Sequence, residues 1–158
     1  MFSHILFYMD DILILGSNLK LLKKAFSLLR EYFQNTLGLS VKDTWRIFTV
    51  DYIKNGQRHG CFIDMMGFRF YRDHTTVRRK LFYNARKTFN LFLKKMLRHQ
   101  IIHVQIAYRV ISYYGWFKHT DSFTFLTKYT KYHLFDKAKK VISNFAKGVT
   151  TCTLLPVM

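Results

Sequence analysis

Two adjacent aspartates, Asp10 and Asp11, interrupt the run Phe7-Tyr8-Met9-Asp10-Asp11-Ile12-Leu13-Ile14-Leu15, which is otherwise apolar or aromatic. Removing an unpaired carboxylate from water is costly, so the chain cannot carry these residues through the middle of a buried strand. Successive side chains on a regular strand also point to opposite faces, and two neighbouring acids share one site only where the strand bends. The run therefore predicts two short strands over Ile5 to Leu15, joined by a hairpin turn at or beside the acids. Neither strand alternates cleanly between apolar and polar residues, which predicts that at least one is covered on both faces.

Two ionised carboxylates about 5 Å apart repel by roughly 3 kcal/mol at an effective dielectric of about 20. An apolar setting then favours protonating one of them or gathering cations. Hard oxygen ligands suit Mg²⁺, and a metal pair bridged by carboxylate supports phosphoryl transfer. Asp is also a common turn residue, and on Asp-Asp alone a purely structural polar turn is the simpler account.

The remaining sequence is rich enough in apolar residues for a core: 49% of the 158 residues are hydrophobic and 18% aromatic. Gly16, Ser17 and Asn18 stop the first sheet and offer a helix cap. Leu22, Ala25, Phe26, Leu29 and Phe33 then recur at helical spacing until Gly38, with Lys20, Lys23, Lys24 and Arg30 on the other side. Trp45 to Val50 reads as a strand, Asn55 to Gly60 as a turn-rich loop, and Ile63 to Tyr71 as a strand with Gly67 inside it. Near Thr76 the pattern turns helical. Phe82, Ala85, Phe89, Phe92, Leu93 and Met96 share one face at about 100° per residue, with Lys80, Lys87, Lys94 and Arg98 opposite. A second helix is predicted from His103 to Gly115 with Val104, Ala107, Tyr108 and Ile111 inward. A third is predicted from Leu134 to Phe145, with Leu134, Ala138, Val141, Ile142 and Phe145 inward.

Charge narrows the choice of partner. Lys and Arg total 26 against 9 Asp and Glu, a formal charge of +17, which favours a polyanion and makes nucleic acid the leading candidate. Cys61 and Cys152 form no disulfide framework, and no apolar run approaches a membrane span or a secretory leader. These features point to a reducing, cytoplasmic setting and to no membrane partner. His99 and His103, four apart, would make at most half a metal site.

Tyr8-Met9-Asp10-Asp11 between apolar strands resembles the Tyr-x-Asp-Asp signature of reverse transcriptases. The order downstream is similar to the bacterial branch of that family, the enzymes of group II introns, retrons and diversity-generating retroelements. Ile63-Asp64-Met65-Met66-Gly67-Phe68 looks like the family's primer-grip strand. Ser112-Tyr113-Tyr114-Gly115-Trp116-Phe117-Lys118-His119 looks like a segment of its thumb. Together these motifs span Phe7 to His119.

The resemblance implies an α+β fold: antiparallel strands of a partial polymerase palm, with the YMDD hairpin, a helix and the primer grip, over 1–75, an α-helical thumb over 76–147, and a tail over 148–158. It implies RNA-directed DNA synthesis with Mg²⁺, or Mn²⁺ in its place, held by Asp10 and Asp11 as the catalytic acids. Tyr8 and Met9 would lie near the primer terminus or incoming nucleotide, and Met66, Gly67 and Phe68 would hold the primer backbone. Arg79, Lys80, Arg86, Lys87 and Lys94 would contact phosphates of an RNA template and DNA primer duplex, without reading sequence. The family's further metal-binding aspartate comes from an upstream strand, and Met1 to Phe7 contain no acid. The chain therefore looks like a C-terminal part, of bacterial or phage-borne origin, that does not polymerise alone and is either poorly soluble or dependent on a separately encoded N-terminal half. The alternative is a non-catalytic basic RNA-binding module derived from a retroelement.

Overall fold

The chain reverses at Met9 and Asp10. A computed structural model describes residues 2–148, in which strand β1 (Phe2–Tyr8) pairs antiparallel with β2 (Asp11–Gly16) and Tyr8 lies opposite Asp11. Asn18 then caps helix α1 (Leu19–Leu37), its side-chain oxygen accepting from the amides of Lys20 at 2.9 Å and Leu21 at 3.2 Å. Gly38, at φ 63°, ends the helix in the left-handed conformation that a Cβ disfavours. Leu22, Ala25, Phe26, Leu29 and Phe33 form its half-buried stripe, as their spacing predicts.

These elements belong to the first of two compact units, residues 1–49 and 50–158. No described residue of the first unit is fully buried, and described side chains of β1 are exposed. The expected two-sided cover is therefore not observed. The sheet has only two strands, and α1 is the helix that packs against β2. The expected strand over Trp45 to Val50 does not form either. Trp45 instead stacks on Phe26 of α1, ring centroids 3.7 Å apart, and only Val50 makes an isolated bridge, to Cys61.

In the second unit, Asn55 and Gly56, at φ 51° and 75°, turn β3 (Tyr52–Lys54) into β4 (Gln57–His59), so the expected loop is a hairpin. The expected strand over Ile63 to Tyr71 is likewise broken. Met66 and Gly67, at φ 52° and 82°, turn β5 (Ile63–Met65) into β6 (Phe68–Phe70), and β7 (Thr75–Val77) completes a three-stranded antiparallel sheet. Asp51 is buried; one carboxylate oxygen pairs with Arg58 of β4 and the other accepts from the Arg72 amide at 2.8 Å. Arg58 also reaches both oxygens of Asp73, tying the β3–β4 hairpin to the segment before β7.

Helices α2 (Arg79–Leu97), α3 (Val104–Lys118), α4 (Phe123–Thr130) and α5 (Leu134–Ala146) build the core. Ala85, Ala107 and Ala138 have no exposed surface, and their small side chains let α2, α3 and α5 approach closely. Phe89, Phe92 and Phe117 are equally buried, each worth about 1.5–3 kcal/mol relative to exposure. The Tyr129 hydroxyl donates to Asn90 Oδ1 at 2.9 Å, and burial raises its phenol pKa.

Helix α3 continues through Gly115 because Trp116 and Phe117 have packing partners beyond it. Val110 and Phe117 face the core, whereas Tyr108, expected inward, is exposed, as is Phe145 of α5. His99 follows α2 and His103 stands just before α3 without a side-chain capping bond, so they do not share a helix. The division between units falls after Thr49, because Phe68 of β6 and Val77 of β7 pack into the helical core; the change in sequence character near Thr76 lies inside the second unit. Cys152 and the tail beyond Gly148 lie outside the described residues.

Candidate nucleic-acid interface

In the first unit the hairpin brings Tyr8, Met9, Asp10 and Asp11 to one tip. Met9 holds φ at 52°, unusual for a residue with a side chain, and that side chain is 87% exposed. Asp10 Oδ2 lies 3.5 Å from Lys42 Nζ, a pair with both side chains in solvent and hence worth at most about 1 kcal/mol. Among the described residues, the acids are not joined by a third His, Cys, Asp or Glu. This donor set fits a single Mg²⁺ whose remaining positions go to water and substrate phosphate, since Mg²⁺ is commonly held by one or two carboxylates in that way. It falls short of a carboxylate-bridged metal pair.

In the second unit, two of the segments singled out by sequence meet. The ring of Trp116, from Ser112–His119, lies under the Met66–Gly67 turn. A Cβ built on Gly67 would sit 2.7 and 2.9 Å from Trp116 Cζ3 and Cη2. The space left by the missing side chain is thus taken by an indole. Phe68 packs on the same ring at 5.0 Å, and a shallow depression of about 290 Å³ lies among Phe68, Ser112, Gly115 and Trp116. The Gly67 carbonyl accepts from the Arg78 amide at 2.9 Å, which couples the turn directly to the start of α2.

Helix α2 carries the basic face. Arg79, Lys80, Arg86, Lys87 and Lys94 are all exposed and fall within roughly 120° of arc at about 100° per residue. The helix contains no acidic residue, and none of these five is ion-paired among the described residues. Its first turn is basic, with no side-chain cap, at the end where the helix dipole disfavours cations. Arg79 and Lys80 are therefore placed against the helix's own stability, whereas Lys94, in the last turn, is not.

Sequence reasoning missed three groups here. Tyr83, one turn after Arg79, lies beneath its guanidinium at 5.5 Å and accepts a weak hydrogen bond at 3.4 Å. Arg78, just after β7, pairs with Asp64 of β5. Arg69, between Phe68 and Phe70 on β6, has a buried Nε with no hydrogen-bond partner among the described residues. The alternation Phe-Arg-Phe was the available signal for Arg69; Tyr83 and Arg78 had none that spacing alone reveals. No helix among the described residues is long and apolar enough to cross a membrane. No protein-family model matches the chain, and neither a curated protein nor a solved structure matches it.

Proposed function

We propose that this chain is the C-terminal part of a bacterial-type reverse transcriptase, and that its second unit holds a duplex of RNA template and DNA primer. The observation that carries the reading is the acid-free basic face of α2, joined through Arg78 and Gly67 to the Trp116 shelf. Lys80, Lys87 and Lys94 recur every seventh residue, a rise of roughly 10.5 Å along the helix. That spacing spans a few nucleotide steps along one strand of an A-form-like hybrid. A helix lying along a duplex would meet backbone phosphates several steps apart, independent of base sequence.

Asp10 and Asp11 would hold Mg²⁺, or Mn²⁺, against substrate phosphate oxygens, with Tyr8 and Met9 beside them at the hairpin tip. Such an ion, when bound, polarises the phosphoryl group under attack. With two carboxylates from one turn as donors, primer extension by the purified chain should not exceed that of an Asp10→Ala control.

The test is the salt dependence of binding to an RNA–DNA hybrid. Replacing Lys80, Lys87 and Lys94 together by Gln should weaken binding and flatten the slope of log affinity against log salt by about 2.7, at roughly 0.9 per lost phosphate contact. Unchanged affinity and slope would refute the assignment. The second reading, a basic RNA-binding module without catalysis, is favoured by the solvent-exposed Asp10–Lys42 pair, which serves as an ordinary polar turn. Calorimetric Mg²⁺ binding abolished by Asp10→Ala supports the metal half-site; hybrid binding with no such Mg²⁺ binding supports the module.

A further inference from the structure

Away from the Trp116 depression, the second unit contains a cavity of about 420 Å³ between β6, β7, the start of α2 and the start of α4. Its polar lining includes Arg69, Arg79, Ser122, Thr124 and Asp121. Three features favour an anion there and one, Asp121, opposes it. Arg69 Nε is buried with no hydrogen-bond partner among the described residues, and its guanidinium lies over the Phe62 ring at 4.7 Å. The carboxylate facing Arg69 across the sheet, Asp64, is taken by Arg78. Asp121 accepts from the Thr75 amide at 2.7 Å and makes no ion pair among the described residues. The N-terminal ends of α2 and α4 both adjoin the cavity, and neither has a side-chain cap bond or an acid in its first turn.

The charge sum selects among anions. Two arginines against one aspartate leave a single positive charge, and each helix N-terminus adds an effective charge of about +0.5. The total of about +2 matches a phosphate monoester dianion better than the single charge of an internal phosphodiester. The cavity could hold about fourteen waters at roughly 30 Å³ each, more room than a phosphate needs. Phe82, Tyr83 and Phe125 line the remainder, and an aromatic wall beside a phosphate site suits a sugar and base.

We propose that this cavity binds a nucleotide phosphomonoester, either a free nucleotide or the phosphorylated end of a strand. The assignment goes beyond duplex binding and depends on a different set of side chains, apart from Arg79. The probe is 5′-AMP, titrated calorimetrically into the full chain at fixed ionic strength, with adenosine as the uncharged comparison. Binding should fall at least tenfold in Arg69→Gln and in Arg79→Gln, stay unchanged in Lys140→Gln on the outer face of α5, and be absent for adenosine. Arg79 is exposed, so its variant remains a test should Arg69→Gln fail to fold. A 5′-phosphorylated oligoribonucleotide that displaces AMP, when its 5′-hydroxyl counterpart does not, assigns the cavity to strand ends. AMP binding that neither strand displaces assigns it to free nucleotides. Absence of AMP binding to the folded chain, equal binding by both arginine variants, or adenosine binding as tightly as AMP would each overturn the proposal. Hybrid binding that survives those results leaves the α2 interface standing by itself.

Discussion

Gly67 and Gly56 occupy matching positions in two hairpins, yet their replacement should cost very different amounts. Both have positive φ, 82° and 75°, where an L side chain costs about 1–2 kcal/mol. A Cβ at Gly56 meets nothing within 4 Å, whereas at Gly67 it meets the Trp116 ring well inside van der Waals contact. Overpacking of that kind adds about 1–3 kcal/mol. Urea denaturation should therefore show Gly67→Ala less stable than the parent by about 2–5 kcal/mol, with a changed Trp116 emission, and Gly56→Ala by only about 1–2 kcal/mol. Asp73 makes a prediction in pH. Hydrogen bonds from Arg58 first, and then from His74, lower its pKa to about 2 from the ordinary 3.8. The folded state thus binds the proton more weakly than the unfolded chain, so the stabilisation is complete above pH 3.8 and is lost as pH falls through about 2. The pair is solvent-exposed and its effect small, so the sharper measurement is the Asp73 carboxyl shift by NMR. Its midpoint should return toward the ordinary carboxylate range in Arg58→Gln.

At the scale of elements, the start of α2 sets stability against binding. Arg79 and Lys80 lie where the helix dipole favours acids, so Lys80→Glu should stabilise the helix by about 0.3–1 kcal/mol at low salt. The same change should weaken binding to an RNA–DNA hybrid. A variant that gains stability and keeps its affinity would remove Lys80 from the interface. Helices were the legible part of this sequence: the stripes of α1, α2 and α5 follow from 3.6-residue spacing, and Asn18 and Gly38 announce the ends of α1. Helix α4 was missed because Phe123-Thr124-Phe125 and Tyr129-Thr130 favour strands locally; burial of Tyr129 against Phe89 and Phe125 overrides that preference. The sheet was harder, since whether a β-prone segment pairs depends on a partner remote in sequence. Trp45 to Val50 has the composition of a strand, but Trp45 goes to Phe26 instead. Asn55-Gly56 and Met66-Gly67 did carry a turn signal, and glycine inside a strand pattern is where the chain bends. The acidic tip and the basic face of α2 were visible as residue types in a pattern. The Arg69 cavity was not, because residues 69, 79 and 121 come together only through packing.

At the scale of the whole molecule, the two units differ in what holds them together. The second has a continuous core that includes Phe89, Phe92, Phe117, Tyr129 and Leu134, all without exposed surface. The first has one hairpin and one helix with no fully buried described residue, and it leaves Ile5 52%, Phe7 63% and Met9 87% exposed. A two-stranded hairpin is marginal without further cover, and exposed apolar strands invite association. The formal charge of +17 opposes that association at low salt, but the repulsion is screened over about 8 Å at 0.15 M ionic strength. The two tryptophans divide between the units, Trp45 in the first and Trp116 in the second, which makes the difference measurable. In Trp45→Phe, fluorescence reports Trp116 alone, and subtracting it from the parent signal isolates Trp45. The Trp45 transition should come at lower urea than the Trp116 transition, with light scattering that rises with salt before the second unit unfolds. Coincident transitions in the isolated chain would instead mean that the hairpin and α1 draw stability from contacts other than those within their own unit.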